Sequence, residues 1–362
     1  MTQSVSSPTE ICILGRSIGP ASASFIIAEI SQSHDGSLGT AHAYIDAVAN
    51  AGADAIKFQT HIAHAESTLD EAFRVKFSKQ DATRYDYWKR MEFSKEQWRG
   101  LAEHAREKGL IFLSSAFSLE AVELLQEIGM PAWKVGSGEF RSQPLMEAMA
   151  VTGAPILYST GMSSYSEIDA AVSWFKRCNL HFALFQCTSK YPVSLQQVGI
   201  NVLEDFRRRY ACPTGLSDHS GSIFPGLAAL ALGANLLEVH VVFDKRLFGP
   251  DVSVSLLIEE LQLLCRARDA FYIMHTHPVD KDKMSDDLLD MRTLFTKSMA
   301  LSRDLPAGTV LTASVLVGKK PGTGIPYSEM QKLLGRRLSR DVSAKHLLSW
   351  EDLTNDEPIC SS

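Results

Sequence analysis

Glu29 closes the apolar run Phe25-Ile26-Ile27-Ala28, and Lys57 stands near the end of a second strand-like stretch, Asp54-Ala55-Ile56-Lys57-Phe58-Gln59. A charge at the end of a buried strand is costly unless it faces a polar site. His219 and His240 stand in the same way at the ends of two later runs. Two imidazoles on neighbouring strand ends suit one divalent cation, with Glu29, Asp218, water or substrate completing the shell. Lys57 and Lys134, with Ser115, Ser137, Ser159 and Ser217, form a cationic, donor-rich set that suits a phosphate and a neighbouring carboxylate. The plainer explanation is structural, with the lysines ion-paired to Glu29 and Glu139 and the serines capping helices.

The elements that must position these residues repeat along the chain. Residues 25–60 read as strand, loop, helix and strand, the helix running from Gly39 to a stop at Gly52. A strand–helix–strand unit of this kind implies a parallel, right-handed crossover. Further strands are expected at 110–115, 132–139, 155–161, 182–188, 214–219 and 236–240, with helices between them. Eight strands between residues 25 and 275 match a (β/α)8 TIM barrel, in which the C-terminal strand ends form the active face. At those ends stand Glu29, Lys57 and Gln59, Ser115, Lys134 and Ser137, Ser159, Ser189 and Tyr191, Ser217 and His219, and His240. Any one of them alone reads as structural; recurrence at every strand favours a shared site. His61/His64 and His275/His277 have ligand-like spacing but read as solvated or capping loop residues, and Cys187 and Cys265 as packing.

The barrel domain is expected over 1–277, with a short hairpin at 9–24 and a long, polar and aromatic loop at 61–98. A linker is expected at 278–292, a small β-rich domain at 293–355 and a tail at 356–362. The net charge of −6 gives no reason to expect nucleic-acid or membrane partners. It is uneven, however: residues 293–355 carry nine Lys/Arg against five Asp/Glu. Six scattered cysteines without a CxxC pair argue against a zinc or disulfide framework and for free thiols in a reducing cytoplasm. No signal peptide or membrane-spanning run is expected.

The segments IIAEISQSHDG, AGADAIKFQT, FLSSAFS, WKVGSGE, ILYSTGM, QCTSKYP, GLSDHS and LEVHVVFD resemble, in order, those of the sialic acid (N-acetylneuraminate and related nonulosonate) synthase family. The later stretch SMALSRDLPAGTVLTASVLVGKKPGTGIP resembles that family's antifreeze-like SAF domain. The resemblance implies condensation of phosphoenolpyruvate with the open-chain aldehyde of an N-acylated mannose-type sugar. It implies that His219 and His240 hold manganese or magnesium and that Glu29 manages a proton. Lys57, Ser115, Lys134, Ser137, Ser159 and Ser217 would hold phosphoenolpyruvate. Gln59, Tyr191 and Asp251 would contact the sugar, with Glu139 and Ser189 also among the substrate-binding positions. It further implies a homodimer in which the small domain caps the partner's barrel.

The chain departs from the family pattern at several places. Lys320 stands where an Arg commonly reaches the sugar, and a lysine cannot form the same fork. Ser189 replaces an Asn, and Val242 a frequent Thr. Three alternatives follow: the same chemistry on a sugar phosphate or on a legionaminate- or pseudaminate-type precursor, a metal aldolase using pyruvate, and a non-enzymatic sugar-binding barrel.

Overall fold

The computed structural model describes residues 9–355 and divides into two compact units, Met1–Thr276 and His277–Ser362. Cys360 and the tail at 356–362 lie outside the described residues, as does the extreme N-terminus. A hairpin of β1 (Ile11–Ile13) and β2 (Arg16–Ile18) opens the first unit. Then follow β3 (Phe25–Ser31), α1 (Leu38–Ala51), β4 (Ala55–Thr60), α2 (Ala63–Glu66), α3 (Arg84–Met91), α4 (Lys95–Glu107) and β5 (Ile111–Ala116). Next come α5 (Leu119–Ile128), β6 (Trp133–Val135), α6 (Gln143–Val151), β7 (Ile156–Ser159), α7 (Tyr165–Arg177) and β8 (Phe182–Cys187). The unit ends with α8 (Val202–Tyr210), β9 (Thr214–Asp218), α9 (Ile223–Ala231), β10 (Leu236–Val242), β11 (Leu256–Leu257) and α10 (Ile258–Thr276).

Strands β3 to β10 form a nearly closed parallel (β/α)8 barrel in the order β5-β4-β3-β10-β9-β8-β7-β6. The two ends of that order, β5 and β6, lie against each other without a hydrogen-bonded ladder. The strand expected over 132–139 stops at Val135: Gly136 is still extended, and the chain then enters a 3-10 turn at Ser137–Glu139, with Glu139 N donating to Gly136 O at 3.0 Å. Elsewhere the strands are buried on both faces, as the fully buried FIIAEIS of β3 illustrates. Helix ends are set locally. Ser37 Oγ accepts from Thr40 N at the start of α1, and Gly52 ends it at φ 87°, a conformation that favours glycine. Ser94 and Gln97 form a reciprocal capping box on α4.

Between strands and helices the core is aromatic and aliphatic. Phe58 of β4 packs 5.9 Å from the Trp98 ring and 5.8 Å from Phe112. Burying a side chain of this size contributes about 2–3 kcal/mol. The hairpin isoleucines Ile11, Ile13 and Ile18 belong to the same core. Arg16 Nε donates to Asp54 Oδ1 at 3.1 Å, just before β4, and Ser24 Oγ to Ala234 O at 2.5 Å, just before β10. The hairpin therefore sits at the N-terminal ends of the strands, away from the polar residues at their C-terminal ends.

The second unit begins with two short helices, α11 (Lys281–Asp287) and α12 (Leu289–Phe295), where the sequence suggested only a linker. Asp280 starts α11 by accepting from Asp282 N and Lys283 N, a cap hidden in a run of alternating charges. Strand β12 (Ser298–Leu301) pairs antiparallel with β13 (Leu316–Lys319), and α13 spans Met330–Leu333. Isolated bridges such as Leu305 with Val342 and Val310 with Arg337 complete a mostly irregular β unit. Its own core holds Met299, Leu301, Leu311, Leu333 and Leu348. Among the described residues, no helix is long and apolar enough to cross a membrane.

Candidate active site

Neighbouring strands bring four charges together inside the barrel. Glu29 of β3 is register partner to Lys57 of β4 on one side and to His240 of β10 on the other. Lys57 Nζ contacts Glu29 Oε2 and donates to Ser115 Oγ at 3.2 Å. Lys134 Nζ donates to Ser159 Oγ at 2.7 Å and lies 3.3 Å from Glu238 Oε1, which also accepts from Ser217 Oγ at 2.9 Å. Glu238 Oε2 is 3.9 Å from Lys57 Nζ. Burial pulls the Lys57 ammonium below the usual lysine range, with Glu238 opposing. Burial acts to raise the Glu238 carboxyl, but Lys134 and then Lys57 outweigh it and hold it below the usual carboxylate range.

These residues line a cavity of about 370 Å³ at the C-terminal ends of the strands. Of the residues proposed from sequence, Glu29, Lys57, Gln59, Ser115, Lys134, Ser137, Ser159, Ser189, Tyr191, Ser217, His219, His240 and Asp251 all line it. Glu139 does not. It accepts from Ser142 Oγ at 2.5 Å within the turn after β6, and the partner of Lys134 is Glu238 instead. Asp218 is also outside the lining; its Oδ2 accepts from Ser220 Oγ at 2.6 Å, and burial raises its carboxyl. Lys320 belongs to the second unit, where its Nζ lies 4.9 Å from the centroid of the Phe295 ring.

The two imidazoles lie with ring centroids 5.1 Å apart, and Tyr191 packs 4.4 Å from His219. Burial lowers both histidines, most strongly His219, so both are neutral and present lone pairs. His240 Nδ1 is buried with no hydrogen-bond partner, 4.0 Å from Asp251 Oδ2. Among the described residues no group of three or more His, Cys, Asp or Glu is gathered to hold a metal ion. The donor set nonetheless fits a divalent cation held by two imidazoles, provided that water and substrate complete its shell.

Sequence reasoning passed over several lining residues. Glu238 was hidden inside an apolar run, although it stands two residues before His240 and so shares its face of the strand. Gln32 and Arg74 come from loops. Arg74 Nη2 donates to Asp251 Oδ1 at 2.9 Å while its guanidinium lies 4.2 Å from the Tyr191 ring centroid. Cys187 is not mere packing, since it lines the cavity with Sγ 3.6 Å from His219 Nδ1. His61 is not a solvated loop residue either; it is buried between two aromatic rings. His64, by contrast, is exposed.

A barrel that gathers buried lysines, serines and paired imidazoles at its strand ends holds an enzyme-like cavity, and the comparisons with known proteins show the class to which it belongs. The NeuB family model matches residues 44–277, and the SAF domain model matches residues 296–354. The chain belongs to the NeuB family and is an enzyme of the nonulosonate synthase type. It is 33% identical to an N,N'-diacetyllegionaminic acid synthase of Legionella pneumophila, over 92% of this chain and 96% of that protein. It is also 33% identical to the N-acetylneuraminate-9-phosphate synthase of Homo sapiens, over 96% of this chain and 97% of that protein. Among solved structures, an N-acetylneuraminic acid synthetase from Leptospira borgpetersenii in complex with citrate superposes with a TM-score of 0.68 at 29% identity. That match covers 80% of this chain and 98% of the other.

Proposed function

We propose that the chain condenses phosphoenolpyruvate with an N-acylated mannose-type sugar, giving a nine-carbon 2-keto acid and releasing phosphate. The observation that carries this reading is the wall formed by Lys57, Lys134, Ser115, Ser159 and Ser217 beside the His219–His240 pair, all in one cavity. The lysines and serines suit the phosphate and carboxylate of phosphoenolpyruvate. In the reaction, C3 of phosphoenolpyruvate bonds to the aldehyde carbon, water adds at C2, and the tetrahedral intermediate expels phosphate by C–O cleavage. Glu29, beside Lys57, is the group that takes and returns the proton of that water. By the family resemblance Gln59, Tyr191 and Asp251 contact the sugar and Ser137 the phosphoenolpyruvate, with Ser189 a further substrate-binding position; all five line the cavity. His219 and His240 would hold Mn²⁺ or Mg²⁺, which supplies polarisation of the aldehyde oxygen when bound.

A phosphorylated sugar is the second reading. The guanidinium groups of Arg74 and Arg84 both line the cavity, and a sugar phosphate would find bidentate donors there. The family resemblance also supports a cytoplasmic homodimer whose small domains cap the partner's barrel. Solution mass, with activity after deletion of residues 290–362, tests it; an active monomeric barrel would remove the lid. The main test is phosphate release from phosphoenolpyruvate, with manganese, against N-acylated mannose-type sugars, their 6-phosphates and mannose. Release with one sugar names the acceptor. Pyruvate serving in place of phosphoenolpyruvate, or no binding of phosphoenolpyruvate, would overturn the reading.

A further inference from the structure

The segment between α2 and α3 is irregular over 67–83, yet it is tied down on both sides. Near its start Glu71 Oε2 accepts from Trp88 Nε1 at 3.0 Å, and near its end Asp81 Oδ2 accepts from Arg90 Nη2 at 2.7 Å; both donors belong to α3. Between these ties Phe77 packs 4.9 Å from the Tyr87 ring of α3, and Phe73 packs 5.8 Å from Phe77. Arg74 follows Phe73, lines the cavity and reaches two other loops. Its Nη2 donates to Pro250 O at 3.1 Å and to Asp251 Oδ1 at 2.9 Å, in the loop after β10. Its guanidinium carbon lies 4.2 Å from the ring centroid of Tyr191, in the loop after β8. A guanidinium only donates and stays charged, so none of these contacts depends on where a proton is placed.

The two residues that Arg74 joins are the ones beside the imidazole pair. The Tyr191 ring lies 4.4 Å from that of His219, and Asp251 Oδ2 lies 4.0 Å from His240 Nδ1. Lys57 and Lys134 are held separately, by Glu29 and Ser115 and by Ser159 and Glu238, and Arg74 shares none of these partners among the described residues. We propose that Arg74 is a positioning residue for the acceptor sugar. Through its charge it fixes the Asp251 carboxylate, and through its flat face it fixes the Tyr191 ring, so that three loops present one arrangement to the sugar. Its loss acts on the acceptor and spares phosphoenolpyruvate, which the lysine wall holds. This rests on the synthase reading above, in which Tyr191 and Asp251 meet the sugar.

The test is Arg74→Met in the full chain, read by phosphate release with N-acetylmannosamine, its 6-phosphate and mannose as acceptors. The KM for the acceptor used by the wild type is expected to rise about five- to tenfold, while the KM for phosphoenolpyruvate stays within about twofold. Arg74→Lys keeps a charge for Asp251 without the flat face over Tyr191, and recovers part of the loss. In an Asp251→Asn background, Arg74→Met raises the acceptor KM by a smaller factor than it does alone, because one of the groups it fixes has already lost its charge. Hydrogen exchange over 67–83 and 243–252 speeds up together in Arg74→Met, which reads the bridge without any substrate. Equal rises in both KM values, or a lower thermal midpoint with both unchanged, would overturn the positioning role. So would unchanged exchange in the two loops. A loss confined to the 6-phosphate would make Arg74 a direct phosphate ligand and overturn the role as well. All of these outcomes leave the synthase reading standing, whereas wild-type protein that binds no phosphoenolpyruvate and releases no phosphate would sink both.

Discussion

Lys134 Nζ stands 3.3 Å from Glu238 Oε1, with 4% of each side chain exposed. Together with Lys57 and Glu29, the pair makes a buried cluster of two lysines and two carboxyl groups. Glu238 is thus the counterion that lets two lysines share one small cavity before substrate arrives. Glu238→Ala strands those charges in a buried place, and breaking such a pair costs about 3–5 kcal/mol. Urea unfolding is expected to show a loss of that size. Glu238→Gln, able to keep the Ser217 hydrogen bond, loses less. A loss under about 1 kcal/mol in the alanine variant would mean that the lysines are not held by Glu238 at all.

Acid sensitivity has an identifiable source in His34. Its Nδ1 accepts from Gly36 N at 3.1 Å, its Nε2 is buried without a partner, and Phe93 packs 4.8 Å away. Burial, with smaller contributions from His61 and Arg90, lowers the imidazole to about 3. The unfolded chain takes up this proton near pH 6.5 and the folded one only near 3. The stabilisation is therefore complete above about 6.5 and falls with pH between about 6.5 and 3, by at most about 1.4 kcal/mol per unit. His34→Asn retains an acceptor for Gly36 N without a titrating ring. Its stability is expected to change less steeply between pH 6 and 4 than that of the wild type, measured by denaturant midpoints. Parallel slopes would assign the acid sensitivity elsewhere.

Gly161 follows β7 where three side chains converge. A Cβ there would come within 2.7 Å of Ser137 Oγ and 2.8 Å of Cys187 Sγ, and Ser137 Oγ already accepts from Gly161 N at 3.0 Å. Gly161→Ala must push Ser137 and Cys187 into the cavity. The expected result is a KM for phosphoenolpyruvate raised about tenfold or more, with the thermal midpoint lowered only a few degrees. Unchanged affinity for phosphoenolpyruvate would show that this wall does not touch it.

The barrel was legible because its strands are apolar runs that end in polar residues, a pattern that needs no knowledge of what lies across the cavity. Partner choice was not legible. Lys134 could be matched with Glu139 by closeness in sequence, yet the turn after β6 carries Glu139 to Ser142 while Glu238 arrives from β10. The signal for Glu238 was present in its alternation with His240, but burial within LEVHVV masked it. His61 was beyond reach. Its aromatic neighbours Trp88 and Phe117 come from separate loops and helices, and only the folded chain sets them on either side of the ring.

The metal assignment depends on two residues that can be removed one at a time. His219 and His240 line a cavity rather than fill a core, so replacing either by alanine leaves the barrel packing in place. Each loss halves the imidazole set, and no cluster of three or more ligating side chains among the described residues stands ready to compensate. His219→Ala and His240→Ala are each expected to weaken Mn²⁺ binding at least about a hundredfold by calorimetry, and to abolish metal-dependent phosphate release. Circular dichroism should remain that of the wild type. Chelation followed by re-addition of Mn²⁺ restores the wild-type protein and neither variant. A variant that regained full turnover after that cycle would show that its histidine is not a ligand, and the cation would then have to be sought among Glu29, Asp251 and the substrate.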